Sequence, residues 1–401
     1  MNLFQKLNFK IFLKYYLIFI SFSSIFLMSR IYQLEVNNSM AEWLINYQGG
    51  FGRRGFLGEF FFYISTYFDF SVRKVILFFL FFLFLTYYLS VYFYFKNLKF
   101  NFLFILSILS PLFIIFPLAE LEALGRKDIL IPIFFLVICN FYQRMNFYSL
   151  SIICLFGYLI LLLTHEIAIF YVPFFFIILL FKIKKIDLKK ILILLLISLI
   201  LLSIIYLLFK SALSADQIID MCNKINNQLS DKCGLGAYVL GRTLRENIAE
   251  LGVEIPHLIR AFFIFLFGYF ALFFLIMKSN VNQNLSNILN KQNLKLNMIF
   301  IFLFLVTLIP FFIAVDWGRW FNLSYSMLLL FYFFCLKNNL ISFTEIKFNF
   351  LIFKHKIFKT RFFLIITILI LCFSWNPKAV YHEDIGSIPI YRVISKIYKY
   401  Y

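Results

Sequence analysis

Charge is what this sequence has least of. Only 14% of the residues are Asp, Glu, Lys or Arg, and 63% are hydrophobic. A soluble domain runs nearer a quarter charged and half apolar. The shortage excludes an ordinary soluble globular fold. Acids are scarcer than bases, 19 against 38, for a formal net charge of +19. Polar residues do not alternate with apolar ones in segments of about 10, so a transmembrane β-barrel is excluded too. No internal repeat is visible, and nothing points to a transporter built from inverted halves. The basic start, MNLFQKLNFK, leads into an apolar run longer than a usual signal-peptide core, and no small-x-small cleavage site follows. A retained signal anchor with its N-terminus inside is expected.

Long apolar runs are present instead. They recur at close to the roughly 20 residues needed to cross a bilayer. The expectation is an all-α, polytopic transmembrane bundle, a single integral membrane domain over 1–401 with about 11 spans. The expected limits are 11–29, 74–95, 101–118, 129–142, 147–163, 167–181, 191–209, 257–277, 298–315, 321–336 and 362–375. The 60 Phe and 24 Tyr belong to these runs and carry no functional signal. Short loops with Lys96 and Lys99, Arg144, Lys182 to Lys190, Lys278 with Lys291 and Lys295, and Lys337 to Arg361 are basic and nearly free of acids. By the positive-inside rule they lie in the cytoplasm with the N-terminus. The net charge is then topological, and nucleic acid is not an expected partner. Of the 19 acids, all but Asp187 and Glu345 fall on the opposite, outer side. Chemistry is expected on that face, in short polar stretches at about 30–73, 120–128, 164–166, 210–256 and 316–320. A tail from about 376 carries YHEDIGSIPIY.

Four motifs stand out in those stretches. GGFGRRG, Gly49 to Gly55, sets two adjacent arginines in a glycine-rich turn. Glycine permits close backbone approach, and Arg53 and Arg54 offer fork-shaped donors for phosphate oxygens. The turn lacks the Lys-Ser/Thr ending of a P-loop. It equally reads as an anchor on phospholipid headgroups. Glu42 and Glu59 flank it, and FLGEFFFYISTYF reads as an interfacial amphipathic helix. Glu35 and Glu42 are seven apart, on one helical face, and either acid can be a general base or a solvated surface group.

LGRKD opens the expected fourth span. Asp128 has a sufficient structural reason at a helix N-terminus, while Arg126 and Lys127 on an outer face point to an anionic ligand. His165 and Glu166 stand between two apolar spans with almost no loop. Ionisable groups at that depth are a functional hypothesis. The bland reading is a turn with Thr164 as N-cap. Ile169 stands where a zincin needs its second His, which argues against zinc. DWGRW combines Asp316, Trp317, Arg319 and Trp320, an acid and a phosphate donor between two flat rings for sugar stacking. It also reads as a turn of an aromatic belt. In the large outer loop, Cys222 and Cys233 are placed for a disulfide. YVLGRTLRENIAELGVEIP reads as a helical lid or surface helix, with Arg242 and Arg245 as further phosphate donors.

The combination WLINYQGGFGRRGFLGE, LGRKD, THE and DWGRW resembles the multispanning proteins of bacterial surface-polysaccharide clusters, GT-C class glycosyltransferases and O-antigen polymerases. The resemblance covers the span pattern and these short motifs. It implies a polyprenyl-phosphate-linked sugar donor at the outer face of the inner membrane, with polysaccharide assembly proteins as partners. It implies Arg53, Arg54, Arg126 and Arg319 on the phosphates and Glu42 or Asp316 as the acid. Lys127 and Glu59 join the binding side, and His165 and Glu166 the catalytic side. The adjacent acidic pair of many members is missing from the first outer loop. No motif of the chain demands a cofactor, and a divalent cation enters only through the resemblance. A flippase of lipid-linked glycans and an acyltransferase using His165 are the alternatives.

Overall fold

The computed structural model describes residues 9–33, 38–98, 101–183, 187–249, 251–281, 296–343, 361–380 and 386–399. Glu35, Lys99, Lys184, Lys185, Lys291, Lys295, Glu345 and the HED of the tail lie outside them. The architecture is all-helical. In chain order the helices are α1 Phe9–Ile31, α2 Asn38–Leu44, α3 Phe56–Phe68, α4 Val72–Phe95, α5 Phe102–Ile108, α6 Phe116–Ala119, α7 Leu130–Phe141, α8 Phe147–Thr164, α9 Val172–Lys182, α10 Leu188–Lys210, α11 Ala215–Leu229, α12 Leu235–Tyr238, α13 Leu244–Ala249, α14 Ile255–Met277, α15 Leu296–Leu308, α16 Trp317–Lys337, α17 Arg361–Ile368 and α18 Pro389–Lys399. Two short antiparallel ladders accompany them. Ser279–Val281 pairs with Ile341–Phe343, Asn280 opposite Ser342, and Trp375–Asn376 pairs with Gly386–Ser387.

Among the described residues six helices, α1, α4, α8, α10, α14 and α16, are long and apolar enough to cross a membrane. The chain is a multi-pass membrane protein. The other expected spans are short or broken, for local reasons. The stretch expected at 101–118 leaves the helix after α5, around Ser110 and Pro111, and resumes only at α6. Proline has no N–H to continue the ladder. Asn322 Nδ2 donates to the freed carbonyls of Leu112 and Phe113 at 2.8 and 3.1 Å. The 167–181 stretch begins as a 3-10 turn, Glu166–Tyr171, before α9, whose first turn holds Pro173. The 298–315 stretch is α15 plus a 3-10 turn at Ile309–Phe312 containing Pro310. α7 has 12 residues, about 18 Å of helix. The 362–375 stretch is α17 followed by a π turn, Leu369–Phe373.

Burial sorts the spans. The window of α10 is 17% buried with mean hydropathy 3.2, whereas that of α16 is 83% buried with mean hydropathy 1.2. α10 meets lipid and needs only apolar side chains. α16 has protein on every side, so it can carry polar groups, provided each finds a partner. Ser324 bonds Thr307 at 2.6 Å, and Tyr325 donates to the Ser107 carbonyl at 2.7 Å. α1 lies along α4, α4 on α7, α7 on α16, and α16 on α14 and α15. α3 packs on α4, α8 and α11, and α2 on α3, α4 and α12.

Candidate functional site

The site begins at α2 and α3. Trp43 is fully buried, and its Nε1 donates to the Gly125 carbonyl at 2.6 Å. This ties the first outer stretch to LGRKD. Glu59, on α3, accepts from the Tyr47 backbone N–H at 2.8 Å and from Gln48 Nε2 at 2.6 Å. It is occupied in holding the turn, so a substrate role for Glu59 gains nothing. α3 forms as expected, with Phe61, Phe62 and Ser65 buried and Phe60, Tyr63 and Tyr67 exposed. The turn itself is covered by α11. A side chain at Gly49 would meet the Gln217 carbonyl at 2.0 Å, and Lys224 Nζ donates to the Gln48 carbonyl at 2.7 Å. Glycine is required here by the close passage of another helix.

Past the turn, Arg54 adopts a left-handed backbone, φ 66°, uncommon for a side chain of its size. Its carbonyl accepts from Lys127 Nζ at 2.8 Å. Its guanidinium turns to Glu166, with Nε and Nη2 at 2.6 to 2.9 Å from the carboxylate. Glu166 Oε2 stands 3.6 Å from His165 Nδ1. His165 Nε2 is 2.7 Å from Asp128 Oδ1. Asp128 is gripped by Arg319 through Nε at 2.7 Å and Nη2 at 3.0 Å. Arg319 Nη1 reaches Asp316 at 3.2 Å. Arg54, Glu166, His165, Asp128, Arg319 and Asp316 thus form one chain of contacts drawn from all four motifs. Beside it, Glu42 pairs with Arg126.

Burial sets the electrostatics. His165 and Glu42 are each 4% exposed, and Lys127 is 1% exposed. Burial pushes the Glu42 carboxyl up, but Arg126, then Arg319 and Arg54, hold it down to about 2. Burial likewise works against ionised Asp128 and Glu166, and their arginine and histidine partners outweigh it, leaving both well below the ordinary carboxylate range. Burial drives the Lys127 ammonium down to about 7 against the pull of Glu42. Among the described residues, Glu42 Oε2, Thr164 Oγ1, His165 Nδ1, Tyr171 Oη and Trp320 Nε1 are buried without a hydrogen-bond partner. Such atoms ordinarily hold water or ligand.

Several expectations change. Lys127 is sealed inside, beneath the Trp43 ring at 5.6 Å, and binds the Arg54 backbone where a phosphate was expected. Arg53 makes no direct bond to the chain, though it feels Glu166 and Arg54, and donates to the Leu240 and Arg242 carbonyls, both at 3.2 Å. DWGRW is the first turn of α16, not a connecting turn. Gly318 is there because a side chain would lie 1.7 Å from the Lys378 carbonyl. Trp317 donates to the Phe311 carbonyl at 3.0 Å, and the Trp320 ring lies 5.2 Å from the Arg319 guanidinium. Thr164 ends α8 and caps nothing; His165 is the residue ahead of the 3-10 turn. The expected 238–256 helix is broken into α12, a 3-10 turn and α13. Arg242 and Arg245 are exposed there, outside the contact chain. Cys222 and Cys233 form a disulfide.

Asp128 is the residue the sequence did not single out. It is the hub of the chain. The signal was an acid directly after two cations, and a helix start explained it away.

A cavity of about 30 Å³ beside the chain is lined by Asp128, Arg319, Asn322 and Ser326, room for about one water, and one of about 10 Å³ lies at Glu166 and Arg53. A larger cavity, about 520 Å³ and almost wholly apolar, touches no member of the chain and lies between α14 and α15, with Phe262, Phe304 and Trp317 in its wall. Among the described residues no group of three His, Cys, Asp or Glu side chains is arranged to hold a metal ion. The carboxylates here are taken up by guanidiniums, so the residues do not fit a divalent cation. In comparisons with known proteins, no family model, no curated protein and no solved structure matches the chain.

Proposed function

We propose that this chain is a membrane glycosyltransferase that takes a sugar or oligosaccharide from a polyprenyl-phosphate carrier, at the outer face of a bacterial inner membrane, in surface-polysaccharide synthesis. In this reading the N-terminus is cytoplasmic. The short and broken helices complete about 11 passes, tilted or partly re-entrant inside protein. The observation that carries the proposal is the contact chain. Four motifs up to 265 residues apart, Arg54 to Arg319, converge on one buried, alternating line of charge within an apolar bundle. Scaffolding alone does not call for it, because a buried ion pair adds little net stability over apolar packing.

The chemistry assigns roles. An acceptor sugar hydroxyl attacks the anomeric carbon, the bond to the carrier phosphate breaks, and its electron pair leaves with the phosphate. Arg54, Arg126 and Arg319 are fixed by their carboxylates in place before the charge develops, as preorganised donors should be. Glu42 and Glu166 are committed to arginines and are poor bases. Asp316, 26% exposed and held by a single 3.2 Å contact, takes the acceptor proton. Trp317 and Trp320, expected to stack on a sugar, are buried, so in this reading they hold Arg319 and the start of α16 in place.

In cells lacking the chain, surface glycan should shorten while lipid-linked intermediates accumulate. Single repeat units would mean a polymerase, and an intermediate short by one sugar a single-addition transferase. The Arg54→Ala and Asp316→Asn variants should give the same profile with normal protein levels. Parental activity in both would remove the assignment. A second reading has one observation in its favour. His165 has its Nε2 on a carboxylate and its Nδ1 unpartnered, the wiring of an acyl-transfer base. Unchanged glycan with missing acyl groups would select it.

A further inference from the structure

We infer that His165 is an imidazolium at neutral pH and serves as the central fixed cation of the site, a positioning residue and not a base. Its charge follows from the molecule alone; its role rests on the reading above. The contact chain holds two guanidiniums, Arg54 and Arg319, and three carboxylates, Glu166, Asp128 and Asp316. Glu42 and Arg126 cancel beside it. Among the groups in direct contact one negative charge is left over, with Arg53 acting on Glu166 from farther off, in a region where charge is costly unless paired.

Two groups can hold the balancing proton, His165 and Lys127. Their surroundings differ. The His165 ring lies between two carboxylates, Asp128 Oδ1 at 2.7 Å from Nε2 and Glu166 Oε2 at 3.6 Å from Nδ1. Lys127 Nζ faces the Arg54 carbonyl at 2.8 Å and the Trp43 ring at 5.6 Å. A proton on the ring is flanked by carboxylates on both sides at 2.7 and 3.6 Å, whereas Lys127 has a carbonyl and a ring in contact and feels Glu42 and Glu166 only from farther off. The remaining charged neighbours, Arg54 and Arg319, are already spent on Glu166 and Asp128. The direction of titration agrees. Burial lowers the ring, and the bond to Asp128 and the nearby Glu166 carboxylate raise it beyond its ordinary value.

The consequence is a row of three cations, Arg54, His165 and Arg319, bound together by Glu166 and Asp128. An imidazolium cannot take the acceptor proton, which leaves that task to Asp316. It also excludes the base wiring that an acyltransferase needs.

The sequence has 4 His, so ¹⁵N-histidine NMR of the intact protein in lipid nanodiscs can resolve each ring, with His165→Gln identifying the signal. At pH 7.5 both His165 nitrogens should carry protons, and the ring should titrate above its ordinary value of about 6.5. Asp128→Asn should bring the titration down; Lys127→Met should leave the ring protonated. A neutral His165 ring at pH 7.5 that becomes protonated only in Lys127→Met would overturn the inference by putting the proton on Lys127. A neutral ring in both proteins overturns it as well. Glycosyl transfer is read separately. Transfer with a neutral ring removes this inference and spares the function. A protonated ring without transfer does the reverse.

Discussion

Arg54 shows how a single residue is fitted to this site. Its left-handed backbone costs about 1 kcal/mol or more, and the Lys127 Nζ donating to its carbonyl holds that conformation in place. Lys127→Met should leave the carbonyl without its donor, at about 1–3 kcal/mol. The expected readout is a lower melting temperature in detergent together with reduced activity. A melting temperature equal to the parent's would show that the backbone does not need Lys127. Glu42 gives a pH signature. Its carboxyl is held down to about 2 from an ordinary value near 4.5, so the folded state prefers it ionised. The resulting stability is fully present above about pH 4.5 and is lost as pH falls toward 2. Melting curves of the parent and Glu42→Gln should therefore be farthest apart above pH 4.5 and converge on acidification. At this scale the arginines and Glu166 were readable, because charge in an apolar chain is conspicuous. Asp128 was not, since one carboxylate at a helix start looks the same whether it caps a backbone or joins His165 to Arg319.

Elements are placed by backbone contact as much as by side chains. The start of α16 is strapped by the tail. The Gly318 N–H donates to the Ala379 carbonyl at 3.1 Å, and the Lys378 carbonyl occupies the place of a side chain on Gly318. Gly318→Ala should force the tail away and shift Arg319 and Asp316. Activity should fall by more than tenfold and thermal stability should drop. Gly236→Ala is the control, because its nearest neighbour would be Glu42 Cγ at 3.4 Å, an ordinary contact; equal effects would sink the strap. The sequence marked α1, α4, α8, α10, α14 and α16 plainly, since each is a long unbroken apolar run. It did not mark the breaks at Pro111, Pro173 and Pro310 as ends of elements. Hydropathy passes through a proline that the backbone ladder cannot.

At the scale of the whole molecule, the 211–254 segment covers the arginine turn. The Cys222–Cys233 disulfide braces it from within, and it is tied to the body by the Arg73–Asp231 ion pair at 2.6 and 2.7 Å, by Lys224 on the Gln48 carbonyl and by Arg53 on the Leu240 and Arg242 carbonyls. The disulfide closes a separation of 11 residues, which loop-closure entropy values at about 3 kcal/mol. Cys222→Ser or reduction should loosen this cover first. Proteolysis between 211 and 254 should accelerate while α4 and α16 remain protected; protection unchanged in the reduced protein would mean the ties to the body suffice. A segment of mixed polarity with two cysteines was recognisable as an extramembrane piece. Its seat against Gly49 was not, because nothing in its own composition names the surface it covers.

The sequence by itself determined the class of molecule. A chain with so little charge and such long apolar runs must satisfy its backbone inside helices, and its few charged groups must gather at their ends. Which charges meet was decided only by the tertiary structure. Arg54 and Glu166 are separated by 112 residues, and Asp128 and Arg319 by 191. Their pairing depends on how α4, α7, α8 and α16 pack, and on a buried environment that makes an unpaired charge too costly to leave alone.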